Sequence, residues 1–222
     1  MPRAPRIKGN DICYHIVLRC NNAEFLLRES DDFLQFLAFL RETKKKFALR
    51  IYNYVLLHSH AHLMLSTHQD HFIDEVMHNL CLNFARDFNK RHARSGHLWK
   101  NRYRCKTILS DLHAIACLRY QHKNPEKAGI VQNSEDWPWS GYNFYVSGKP
   151  NDILTEHPSY LQMADSEATR QKFYQDFVQR PLTAAENRLF ERKNYANSMR
   201  LKREIRRVMT PLCPPCQNVS GS

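Results

Sequence analysis

The nineteen residues LRIYNYVLLHSHAHLMLST, positions 49–67, constrain the fold of this chain more than any other stretch. They are rich in aliphatic and aromatic residues, a composition suited to strands. The run is far longer than the about five or six residues of an ordinary strand. It therefore predicts two strands with a turn near His58 and Ser59. His58, His60 and His62 occupy every second position of this apolar run. Strand alternation sends His60 and His62 to one face and Ala61 to the other.

The flanking sequence completes the pattern. DICYHIVLRC (11–20) alternates Ile12, Tyr14, Ile16 and Leu18, which is strand periodicity. SDDFLQFLAFLRETKKKF (30–47) carries Phe33, Phe36, Leu37 and Leu40 at helical spacing, with Ser30 as the expected cap. From 70 to about 94, Phe72, Ile73, Val76, Leu80, Phe84 and Phe88 predict a long helix. A short strand is expected at 103–109. A helix follows from 110, capped by Ser110 and stopped at Asn124 by Pro125. The order β-α-β-β-α-β-α predicts an α+β fold, a ferredoxin-like antiparallel sheet with helices on one face. After WPWSGYNFYVSGKPND (137–152) only helices are expected, at 166–180 and 183–209. Thr183 and Glu186 form a capping box at the start of the latter. Residues 1–150 thus form one domain, and 151–222 a helical, basic extension with a disordered tail.

Charge narrows the partner. The chain of 222 residues holds 33 Lys and Arg against 22 Asp and Glu, a net charge of +11. Such a field attracts polyanions, with nucleic acid ahead of an acidic membrane surface. No apolar stretch reaches the roughly 18 residues of a membrane span, and MPRAPRIKGND lacks the apolar core of a signal peptide. A cytoplasmic, nucleoid-associated protein is expected. Seven scattered cysteines fit reduced thiols. The lone CPPC of Cys213 and Cys216 has no second pair with which to form a zinc site.

Two imidazoles spaced as His60 and His62 can hold one divalent cation together; the bland reading is a pair of polar strand residues. A packed apolar strand gives no reason of its own for that pair. Two neutral histidines need a third ligand and leave positions open, which suits chemistry on phosphates. Tyr120 and Asn124, one helical turn apart on one face, offer a nucleophile and an amide oxygen. The alternative for Tyr120 is a half-buried aromatic on an amphipathic helix.

HSHAHLML, GHLWKNRY, LRYQHKNPEKAGIV and WPWSGY, in this order, resemble the single-tyrosine HUH transposases, and most closely the REP-associated tyrosine transposases. The resemblance spans about residues 10–146. It implies an HUH endonuclease core in which His60 and His62, with Asn124 by position, bind Mg²⁺ or Mn²⁺. Tyr120, preceding the NPxxAGxV pattern, is then the catalytic residue. It implies a single-stranded DNA endonuclease and strand-transferase that forms a 5′-phosphotyrosine intermediate at REP-type hairpins. The chain departs from the family in having His58-Ser59 where a Pro-Asn turn is usual, which makes His58 foremost a turn residue. His122, two positions beyond Tyr120, is read as a bystander or a DNA contact. Histidines 68, 71 and 78 are read as surface residues.

DNA binding calls for phosphate contacts and stacking platforms. Trp99, Lys100, Arg102 and Arg104 interleave both types, and Arg19 ends the first strand as in the family; Trp99 reads equally as core. The basic helix 183–209 could clamp a hairpin, cover the active site or lie solvated. A monomer is weakly favoured over a dimer. The competing function is a non-catalytic DNA-binding protein on the same scaffold. A barrel-type metallohydrolase is excluded, since it needs about 250 residues and alternating strand-helix units.

Overall fold

The computed structural model describes residues 11–68 and 71–191, together with Arg203 and Arg207. The expected helix 183–209 is described only as far as Glu191, and Cys213, Cys216 and the expected disordered tail lie outside the described residues. Packing divides the chain into two compact units, Met1–Thr107 and Ile108–Ser222.

The first unit is a four-stranded antiparallel sheet with helices. Its elements are β1 (Cys13–Arg19), α1 (Ser30–Lys46), β2 (Arg50–Leu56), β3 (His60–Ser66), α2 (Ile73–Arg91) and β4 (Arg104–Thr107). The strand order β2-β3-β1-β4, with every neighbouring pair antiparallel, is the ferredoxin-like arrangement. The long apolar run splits as expected: Leu56 pairs with Ala61, and the amide of Leu57 donates to the His60 carbonyl at 2.8 Å, closing the turn around His58 and Ser59. One face of the sheet is apolar, with Ile16, Leu18, Ala61, Leu63 and Leu65 all 0–1% exposed. α1 and α2 pack through Phe36 and Phe84, whose rings meet edge to face at 5.0 Å.

Several ends differ from the sequence expectation. Glu29, not Ser30, caps α1: its side chain accepts from the backbone of Asp32, while the Asp32 carboxylate accepts from the Glu29 amide at 3.4 Å. The two carboxylates form a reciprocal box that Ser30, already helical, is one residue too late to make. Phe72 is not a core position but the 47% exposed residue that precedes α2. α2 ends at Arg91 because Ala93 enters the left-handed region at φ 46°.

The second unit holds α3 (Asp111–His122), α4 (Asn124–Lys127), α5 (Tyr142–Ser147), α6 (Pro158–Leu161), α7 (Glu167–Gln179) and α8 (Ala184–Glu191). Ser110 caps α3 as expected, its hydroxyl accepting from the His113 amide at 3.3 Å. α3 is not amphipathic. Every residue from His113 to His122 is buried, as in a helix packed all round. The chain bends at Lys123 and resumes as α4, where Pro125 needs no amide hydrogen. Gly129, at φ 68°, then ends that turn: its amide donates to Glu126 O at 2.9 Å and that of Ile130 to Pro125 O at 3.0 Å. This pairing is a Schellman end, so the NPEKAGIV stretch is one helical turn with both ends built.

Candidate active site

In the first unit, antiparallel register gathers one polar group of residues on the sheet. His60 lies opposite Arg19, and His62 opposite Val17. Arg104 and Lys106 of β4 pair with Val17 and His15, placing them in the same rows. The rings of His60 and His62 are 5.2 Å apart and inclined at 74°. Burial, then the Arg19 charge, pushes the His60 imidazole down to about 4. Burial, then the charges of His60 and His15, holds His62 well below its ordinary value. Both rings are therefore neutral near pH 7, the form that ligates metals.

A third histidine, His15, escaped the sequence reading. It is 1% exposed, its Nε2 lies 3.0 Å from His62 Nδ1, and the two rings stack at 5.3 Å. The apolar alternation of β1 marks Tyr14 and Ile16. Yet His15, Val17 and Arg19 form the opposite alternation, and a second histidine-bearing strand was the signal available. His60 Nδ1 is likewise engaged, by Ser59 Oγ at 3.0 Å. Both Nδ1 atoms are thus engaged within the protein.

The separation of the two rings can be compared with that of two imidazoles sharing one divalent ion. With metal–nitrogen bonds of about 2.1 Å, each ring centre stands roughly 3.3 Å from the ion, so ligand angles between about 90° and 110° separate the centres by roughly 4.7 to 5.4 Å. The observed 5.2 Å falls inside that span. Among the described residues no cluster of three His, Cys, Asp or Glu gathers to hold a metal, so two imidazoles are what this unit supplies.

In the second unit, Asn124 Nδ2 donates to the Tyr120 carbonyl at 2.7 Å. That bond fixes the amide and leaves Oδ1 as its acceptor atom. Tyr120 is 7% exposed, its ring stacked at 4.7 Å on Phe190 of α8. Lys127 Nζ lies 5.6 Å from the centre of the Tyr120 ring. α8 is anchored by Glu186, which forms a buried ion pair with Arg119. The described part of the basic helix is thus packed over Tyr120 rather than solvated.

The remaining expected contacts divide. Arg19, Lys100, Arg102 and Arg104 are exposed, as phosphate contacts require. Trp99 is half-buried, its indole N–H donating to Cys81 O at 3.0 Å while Phe84 lies 5.9 Å away. His122 cannot touch DNA: it is 0% exposed, and its Nδ1 lies 2.9 Å from the Tyr174 hydroxyl. His58 pins the turn, its Nδ1 donating to Leu27 O at 2.6 Å.

Among solved structures, the chain is similar to a REP-associated tyrosine transposase bound to a REP hairpin. The likeness has a TM-score of 0.58 at 17% identity and covers 72% of this chain and 93% of the other. A protein of Deinococcus radiodurans R1 described as a transposase is also similar, at a TM-score of 0.39 and 16% identity over 60% of this chain and 96% of that one. That second likeness is too low to carry an argument. A search of curated proteins finds no significant match. The family described as "Transposase IS200 like" matches residues 8–124, from before β1 to Asn124. Because that match takes in more than half of the chain, including the histidine pair and Tyr120, the chain belongs to the IS200-like transposase family.

Proposed function

We propose that this protein is a metal-dependent single-stranded DNA endonuclease and strand-transferase acting at REP-type hairpins. The observation that carries the reading is the pair of neutral imidazoles, His60 and His62, with ring centres 5.2 Å apart in a chain of a transposase family. The hairpin is suggested by the ligand of the structurally similar transposase. Residues 1–150 carry the catalytic residues in this reading and 151–222 form the basic extension. The protein works as a monomer in the cytoplasm, at the nucleoid.

His60 and His62 would hold Mg²⁺ or Mn²⁺, with Asn124 as the further ligand. When bound, the cation would supply Lewis-acid polarisation of the scissile phosphate and favour the phenolate form of the attacking tyrosine. His15 accepts the Nδ1 proton of His62, which orients the ring and makes Nε2 a better donor. Tyr120 Oη attacks phosphorus, the Oη–P bond forms and the P–O3′ bond breaks. The departing oxygen takes a proton to become a free 3′-OH, and the phenol proton passes to solvent. The 5′-phosphotyrosine keeps the phosphodiester energy, so an incoming 3′-OH reverses the step on a new strand without ATP. Arg19, Lys100, Arg102 and Arg104 bind phosphates.

One observation favours the second reading, a non-catalytic DNA-binding protein: Tyr120 is stacked beneath Phe190 and 7% exposed. Incubation with Mn²⁺ and a labelled hairpin bearing a single-stranded flank separates the two. Strand cleavage abolished by EDTA and by His60→Ala or His62→Ala supports the enzyme. Salt-dependent binding with no cleavage by the wild type supports the alternative.

A further inference from the structure

A cleft of about 580 Å³ opens in the first unit between α2 and residues 96–103. Its volume lies within the 300–1,000 Å³ or so of small-ligand sites. The floor is apolar and aromatic, built from buried Met77, Leu98 and Tyr103 with half-buried Trp99. The rim is exposed and carries two guanidinium groups, Arg86 from α2 and Arg102 from the facing loop, with His78 and His97 beside them. Among the described residues neither Arg86 nor Arg102 is engaged in an ion pair. The one carboxylate of the lining, Asp74, accepts the Tyr103 hydroxyl at 2.6 Å. The Cys81 thiol in the wall, pushed up to about 12 by burial, stays uncharged.

The walls are also rigid. Trp99 is held by its bond to Cys81 O and backed by Phe84, and Tyr103 is held by Asp74. The loop is tied to α2 where Asn89 Nδ2 donates to Gly96 O at 2.9 Å. Fixed aromatic walls lose little conformational freedom when a ligand enters. An aromatic floor under guanidinium groups matches a nucleotide, whose base is a flat apolar ring and whose phosphate is an anion. In a duplex each base is already covered by its neighbours, so only an unstacked nucleotide can present that ring.

We propose that this cleft is a subsite for one unstacked nucleotide of single-stranded DNA, with the base on Trp99 and Tyr103 and its phosphate held by Arg86 and Arg102. It deepens the DNA-processing reading and rests on it. It adds His78, Arg86, His97 and Tyr103 to the DNA-facing residues legible in the sequence, and makes Trp99 a cleft wall rather than an open platform.

The test is fluorescence anisotropy with labelled dT₁₂ and a labelled 12-base-pair duplex, using the full chain in EDTA. Without metal no cleavage occurs, so failure of the strand-transfer reading leaves this readout intact. Ala85→Leu fills the half-buried cleft wall without altering any charge. It should weaken dT₁₂ binding by about tenfold, as loss of a stacked base does, with duplex affinity and salt dependence unchanged. Arg86→Ala should lower the salt slope of dT₁₂ binding by roughly 0.7, the share of one phosphate on a single strand. Melting curves identify any variant that fails to fold. A folded Ala85→Leu protein that binds dT₁₂ within twofold of the wild type overturns the proposal, as does an equal loss on duplex and single strand.

Discussion

Cutting the Arg119–Glu186 pair should destabilise the second unit far more than a surface ion pair would. Arg119 is 0% and Glu186 2% exposed. The guanidinium also donates to the carbonyls of Phe177 at 2.9 Å, Arg180 at 2.8 Å and Pro181 at 3.2 Å. Glu186 in turn accepts from the Thr183 amide at 2.8 Å, the capping box visible in the sequence. Arg119→Met takes the donor from three carbonyls, that of Phe177 buried, and leaves a buried carboxylate with only one amide. Removing one partner of such a pair costs about 3–5 kcal/mol. Glu186→Gln keeps the cap and leaves Arg119 its three carbonyls, so its cost should sit at the lower end, about 3 kcal/mol. The double variant buries no charge and should recover about 2 kcal/mol or more against the sum of the singles, a coupling expected of groups in contact. Urea titrations followed by circular dichroism, with equal slopes, read these values. Single-variant losses below about 1 kcal/mol, the worth of an exposed pair, would refute the reasoning. Phe190 follows Glu186 by one turn on the same helix face, so the same variants should release it from Tyr120 and raise phenol reactivity toward tetranitromethane.

Three further outcomes follow from the geometry. His157 Nδ1 accepts the Ser159 amide at 3.1 Å as the cap of α6, and burial lowers its pKa from 6.5 to about 4. Its contribution is complete above pH 6.5 and lost as pH falls toward 4, about 3 kcal/mol in full; His157→Asn, which keeps an acceptor that does not titrate, should flatten the acid limb of stability measured by urea titration against pH. His15→Phe keeps a stacked ring but removes the partner of His62 Nδ1, so Mn²⁺ affinity read by electron paramagnetic resonance should fall by about 10- to 100-fold; unchanged affinity would exclude His15 from orienting His62. Gly148 ends α5 at φ 63°, and an added Cβ would meet the side-chain ends of Gln171 at 3.0 Å and Glu167 at 3.1 Å. Those ends are flexible, so Gly148→Ala should cost mainly the backbone strain, about 1–2 kcal/mol in chemical denaturation.

What the sequence revealed was local. The β2–β3 hairpin, the Ser110 cap and the Thr183–Glu186 box each depend on residues a few positions apart, and each stands in the structure. The order of elements was enough for the ferredoxin-like sheet because chain connectivity leaves few ways to pair four such strands. His15 was missed because its meeting with His62, 47 residues later, depends on strand register. Periodicity within β1 cannot report that register. The stacking of Phe190 on Tyr120 and the pairing of Arg119 with Glu186 are tertiary in the same way, linking α3 to a helix more than sixty residues on. The all-round burial of α3 follows from those partners, which its own residues do not announce.

Attack by Tyr120 would leave nucleotide mass on its own peptide. A hairpin with a single-stranded flank is labelled on its 3′ side, incubated with protein and Mn²⁺, and the protein digested for mass spectrometry. Nucleotide mass is expected on the peptide containing Tyr120, carrying the 3′ label and absent from Tyr120→Phe. An adduct on another residue, one that persists in Tyr120→Phe, or one carrying the 5′ fragment would contradict attack by Tyr120.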